Sequence, residues 1–91
     1  MTRDLGLLRA DIERIDGEIA ELIERRMELA EEVAKTKMAE GLPIVNQQAE
    51  AKVYDRYRRA AENYGLRIET MESIARLLIS EAVWREERVT R

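Results

Sequence analysis

The chain has neither cysteine nor histidine. Without cysteine there is no disulfide framework, no thiol nucleophile and no zinc–thiolate site. Without histidine the usual general base and the commonest transition-metal ligand are gone as well. No metal and no cofactor is therefore expected, and any chemistry must run on carboxylates, Arg, Lys and amides. Phenylalanine is also missing, aromatics make up 4%, and there are one proline and four glycines. So few turn formers favour long solvated helices over a turn-rich β-fold. No apolar run approaches the roughly 20 residues of a membrane span, and the start of the chain lacks the apolar stretch of a secretory signal. The expectation is a cytoplasmic protein with no membrane partner. An excess of positive charge is lacking too, since 16 basic residues meet 19 acidic ones for a net charge of −3. Phosphate neutralisation needs a basic surface, so no nucleic-acid partner is expected. The densest cationic cluster, Arg56, Arg58 and Arg59 with Tyr54 and Tyr57 between them, reads as the solvated face of a helix.

What is present is a seam. Leu8, Ile12, Ile15, Ile19 and Leu22 follow one another at steps of 4, 3, 4 and 3, and Leu29 and Val33 resume the same phase. Such an a/d pattern marks one long helix packed on others. It is predicted to run from about residue 4 to 39, carrying Gly17 at a cost of about 1 kcal/mol relative to Ala, and to stop at Gly41 and Pro43. A second helix is predicted from Asn46 or Gln47 to about Asn63, with Val53, Tyr57, Ala60, Ala61 and Tyr64 inward and Gly65 as its stop. A third is predicted from about Glu69 to Arg88, with Met71, Ile74, Ala75, Leu78 and Ala82 on one stripe. The fold class is thus all-α, a single domain over residues 1–91 with three helices per chain.

The first helix is too long for the chain that carries it. At 1.5 Å per residue it extends about 54 Å, whereas a compact globule of this size has a radius of gyration of about 12 Å. Much of the helix must protrude, and its apolar seam protrudes with it. A second copy is the economical cover, so the expected assembly is an intertwined homodimer of six helices.

Arg26 interrupts the seam. A guanidinium in a buried stripe is costly unless an anion meets it. A salt bridge to a nearby Glu, or a side chain that snorkels to water, would satisfy it equally well. Lys37, eleven residues on, returns to within about 20° of the same face. Two cations looking into one apolar interior point to an anion site more than either does alone. Asn46 and Glu50 form an i, i+4 pair on the second helix, as do Ala82 and Glu86 on the third. Read singly, each of these glutamates is an ordinary surface carboxylate.

The segments LLRADIERID, ERRMELAEEVAKTK, LPIVNQQAE and LLISEAVWREE, in this order and spacing, resemble the all-helical class of chorismate mutases over roughly residues 4 to 88. The resemblance rests above all on Arg9, on the Arg26–Lys37 pair and on the proline-led loop before Glu50. It implies a dianionic small-molecule substrate, chorismate, rearranged to prephenate in aromatic amino-acid biosynthesis. That reaction is pericyclic and needs no nucleophile, metal or proton transfer, so the missing His and Cys are no obstacle. The resemblance also implies roles. Arg26 would clasp a carboxylate, Lys37 would serve a carboxylate and the ether oxygen, and Glu50 would accept from the ring hydroxyl with Asn46 beside it. A protonated Glu86 would donate to the ether oxygen. Arg9, roughly 25 Å from Arg26 along a straight helix, could reach the same substrate only from a partner chain.

Two positions depart from the pattern. Ala49 stands where many bacterial members carry an arginine next to the glutamate, and Ala82 where a hydroxyl residue is common. Less positive charge near the ring substituent also suits 4-amino-4-deoxychorismate, whose ammonium replaces the hydroxyl. An isochorismate-pyruvate lyase, or a non-catalytic helical dimerisation module, are the further alternatives. The module gives no reason for Arg26 and Lys37 to face inward.

Overall fold

A computed structural model describes residues 4–90; residues 1–3 and 91, the ends of the expected 1–91 domain, lie outside the described part. It contains three helices, α1 (Leu5–Ala39), α2 (Gln47–Tyr64) and α3 (Ile68–Val89). Among the described residues there is no strand, and no helix is long and apolar enough to cross a membrane.

Local chemistry sets the boundaries of α1 and α2. Asp4 caps α1 by accepting from the Leu7 N–H at 3.3 Å. At the other end Gly41 adopts φ +72°, which a side chain would strain. The Leu42 N–H then returns to the Lys37 carbonyl at 2.8 Å and the Gly41 N–H to that of Met38 at 3.2 Å, a Schellman closure. Asn46 caps α2 by accepting from the Ala49 N–H at 3.2 Å. Gly65, at φ +65°, ends it.

α3 packs on both other helices, while α1 and α2 do not pack on each other. Among the described residues the buried positions are Met27 and Ala34 of α1, Ala61 of α2, and Ala75 and Ala82 of α3. Four of these five are alanines, so the axes approach closely but bury little apolar area, and the hydrophobic contribution scales with that area. Two ion-pair clamps add register. The Arg85 fork takes both carboxylate oxygens of Glu24 at 2.7 and 3.2 Å and Glu31 at 3.2 Å, tying α3 to α1. Arg58 takes Glu72 at 3.0 Å, tying α2 to α3, and lies over the Tyr54 ring. That contact gives one member of the basic cluster a structural task.

From Leu8 to Leu22 the predicted seam faces away from its own chain. Leu8, Ile12, Ile15, Ile19, Leu22, Leu29 and Val33 are between 37% and 65% exposed. α1 meets α3 through a different stripe, Met27, Ala30 and Ala34, roughly 100° further round the helix. The helix therefore has two apolar faces: one meets α3, and the other turns only its C-terminal positions, Leu29 and Val33, towards the space between the helices. The molecule is 59 Å long with a radius of gyration of 16.7 Å, well above the value of about 12 Å for a compact chain of this length.

Two expected inward residues are not inward. Tyr64 is 77% exposed, because α2 ends there and the chain turns away through Gly65. Ile74 is 40% exposed, on a flank of α3 one position off the stripe that holds Ala75.

Candidate active site

The C-terminal half of α1, the first turns of α2 and the last turns of α3 enclose an open cavity of about 280 Å³. α1 contributes Arg26, Leu29, Ala30, Val33 and Lys37, and the α1–α2 connection adds Ile44. α2 brings Asn46, Ala49, Glu50 and Val53, and α3 brings Ile79, Ala82, Val83 and Glu86. Six of the seven residues singled out from the sequence thus line one space: Arg26, Lys37, Asn46, Glu50, Ala82 and Glu86. Arg9 does not. It is exposed on the protruding half of α1, seventeen residues and roughly 25 Å before Arg26.

The helical repeat explains the convergence. Arg26 and Lys37 share a face three turns apart, and Glu50 and Glu86 stand one turn from Asn46 and Ala82 respectively. The walls are mainly aliphatic, which lowers the local dielectric and strengthens any charge placed there. Arg26, Lys37, Glu50 and Glu86 are all half-buried. Among the described residues neither Arg26 nor Lys37 has a carboxylate within ion-pair distance. The salt bridge that would have satisfied Arg26 internally is not formed. Lys37 instead donates from Nζ to the Ile44 carbonyl at 2.8 Å.

Glu86 holds its proton more tightly than an ordinary glutamate. Burial raises its pKa most; Lys37 and Arg26 pull it down, and the nearby charges of Glu50 and Glu87 push it up. The net direction is upward, towards a carboxyl that can donate a hydrogen bond.

Sequence reasoning found Ala82 and Glu86 on the α3 wall but missed Ile79 and Val83. Ile79 and Val83 sit at i, i+4 and alternate with Ala82 and Glu86, so the i, i+3, i+4, i+7 pattern that marks a helix face was available there. Ile44 carried no periodic signal, because it lies in the connection between helices.

The profile of the chorismate mutase type II family matches residues 8–87. The chain is 36% identical to the chorismate mutase of Methanocaldococcus jannaschii, over 75% of each sequence. It is 32% identical to the T-protein of Enterobacter agglomerans over 90% of its own length, which spans only 22% of that larger protein. It is 28% identical to the 4-amino-4-deoxychorismate mutase of Streptomyces venezuelae, over 86% of this chain and 76% of the relative. No solved structure is a significant match to the chain.

Proposed function

The chain belongs to the chorismate mutase type II family, and on that premise we propose that its cavity takes chorismate and rearranges it to prephenate. One observation carries the reading. Arg26 and Lys37 are half-buried in a single apolar-walled cavity and neither has an ion-pair partner among the described residues. Two such cations await a ligand with two negative charges, which chorismate supplies.

The reaction breaks the ether C–O bond and forms a C–C bond in one electronic reorganisation, with no proton or electron exchanged with the protein. Catalysis then consists of holding the compact conformer and stabilising charge that develops on the ether oxygen. Arg26 clasps one carboxylate with its planar fork. Lys37 donates to a carboxylate and to the ether oxygen. Glu50 accepts from the ring hydroxyl, and Asn46, with its side-chain oxygen already used as the α2 cap, has its amide hydrogens left to offer. Glu86 donates to the ether oxygen in its protonated form.

The site is completed by a second copy of the chain in an intertwined homodimer, with Arg9 entering from the partner. The exposed seam on α1 and the distance from Arg9 to Arg26 support this arrangement. A cytoplasmic enzyme of aromatic amino-acid biosynthesis is the setting that follows from the family. Ala49, which lines the cavity without a charge, and the likeness to a 4-amino-4-deoxychorismate mutase favour that amine as the second candidate substrate.

Turnover of chorismate, 4-amino-4-deoxychorismate and isochorismate, measured side by side, decides among them. Chorismate is expected to be the best substrate; a higher kcat/KM for either of the others overturns the assignment. Arg26→Ala and Lys37→Ala are each expected to lower kcat/KM by roughly two or more orders of magnitude, the range for charge contacts in a water-poor site. Their helical content should be unchanged. Full activity in either variant would return that residue to a structural role.

A further inference from the structure

We propose that the Ile44 backbone carbonyl is a positioning group for the Lys37 ammonium, built into the connection between α1 and α2. The inference rests on the chorismate mutase reading of the cavity and goes beyond it by assigning a task to a main-chain atom.

Lys37 is tied to this connection twice. Its own carbonyl accepts from the Leu42 N–H at 2.8 Å in the Schellman closure of α1. Its Nζ donates to the Ile44 carbonyl, also at 2.8 Å. The segment between these two bonds has little freedom. Gly41 is held at φ +72°, Pro43 fixes its own φ near −65°, and the Asn46 cap anchors the far end. Ile44 is half-buried and turned to the cavity, while its neighbours Leu42, Pro43 and Val45 are exposed.

A lysine ammonium has three hydrogens on a flexible four-carbon stem. Left to itself in this cavity, Nζ would be drawn to Glu50 or Glu86, the two carboxyls that share the space. An ion pair with either would neutralise the charge meant for the ligand. The neutral carbonyl holds one hydrogen without cancelling the charge, and it leaves two directed hydrogens. Those two match the two acceptors assigned to Lys37, a carboxylate oxygen and the ether oxygen. Fixing the donor before the substrate arrives removes a reorganisation cost from the reaction step.

The test replaces the Ile44–Val45 amide by an ester, by incorporating the α-hydroxy analogue of valine at position 45. An ester carbonyl is a weaker acceptor, every side chain is kept, and the lost Val45 N–H has no hydrogen-bond partner among the described residues. The expected result is a fall in kcat of roughly three- to tenfold, with a smaller change in KM. In a Lys37→Ala background the ester should have no further effect on kcat, because the two changes act through one bond. A purely structural bond would lower the melting temperature and leave kcat alone. Unchanged kcat in the ester chain, or an equal loss in the Lys37→Ala background, overturns the inference. Should the ester chain fail to fold, Pro43→Gly is the deciding variant, since it loosens the connection without touching a helix. A lower kcat with retained helicity supports the proposal, and unchanged kcat rejects it. The unmodified chain is assayed alongside: if it turns over no chorismate, the functional reading fails and the inference with it. If it is active and the ester chain is equally active, the inference alone fails.

Discussion

A carboxyl that must donate a hydrogen bond has to keep its proton, and at Glu86 burial outweighs the pull of Lys37 and Arg26. The sign of the pH dependence follows. As pH rises through the raised pKa, Glu86 ionises, the donor is lost and a negative charge faces the ether oxygen; turnover is expected to decline on the alkaline side. Stability moves the same way, because the folded chain binds this proton more tightly than the unfolded one. The stability gained from it is present at low pH and is lost as pH passes from the unfolded to the folded pKa. Glu86→Gln supplies a permanent donor and should flatten the alkaline limb of kcat against pH. Superimposable profiles for the two proteins would remove Glu86 from the reaction. At this scale legibility in the sequence depends on contrast. Arg26 was visible because it breaks an aliphatic seam, and Lys37 because it repeats the phase. Glu50 and Glu86 were two among 19 acids and gained meaning from the family resemblance. The Arg85 fork on Glu24 and Glu31 was invisible, since it joins residues up to 61 positions apart whose spacing carries no periodic signal.

Helix ends were the most legible elements, because caps are made by the residues at the end itself. Asp4, Gly41, Asn46 and Gly65 each act through their own backbone or a neighbour within a turn, so one sequence window contains the whole cause. Gly65 offers a clean measure of such a cap. Its φ of +65° suits glycine, and a Cβ there would meet nothing within 4 Å, so Gly65→Ala pays only for the left-handed backbone. The expected loss is about 1 kcal/mol, or a fall in Tm of about 4–8 °C for a chain of this size. Gly65 lies at the end of α2 away from the cavity, so kcat at a temperature where both proteins are folded should be unchanged; a drop in kcat would mean the α2 C-terminus is coupled to the site. What periodicity alone did not settle was which face of α1 serves which neighbour. The sequence reading named one packed stripe, the seam from Leu8 to Val33; the second, Met27, Ala30 and Ala34, roughly 100° round the helix, is made evident by its burial against α3.

For the molecule as a whole, the protruding half of α1 ties the assembly to the site. Arg9→Ala and Arg26→Ala chains should each be nearly inactive alone. In the proposed dimer a mixed pair combines one chain's Arg26 with the other's Arg9 and so rebuilds one site of its two. After complete exchange half of the dimers are mixed, and activity should recover to about one quarter of the unmodified level. Sedimentation confirms the dimers, and mass spectrometry of the exchanged pairs confirms the mixing. No recovery after verified exchange would count against a shared site.

The exposed seam also changes what stability means for this protein. Among the described residues the buried core is Met27 and four alanines, while Leu8, Ile12, Ile15, Ile19 and Leu22 stand exposed along the outer face of α1. With a second copy covering that face, as proposed, folding becomes a second-order event: two disordered chains in equilibrium with one folded pair. Dilution then acts as a denaturant. Each tenfold drop in protein concentration removes about 1.4 kcal/mol from the pair, and the melting temperature becomes a property of the solution as much as of the sequence.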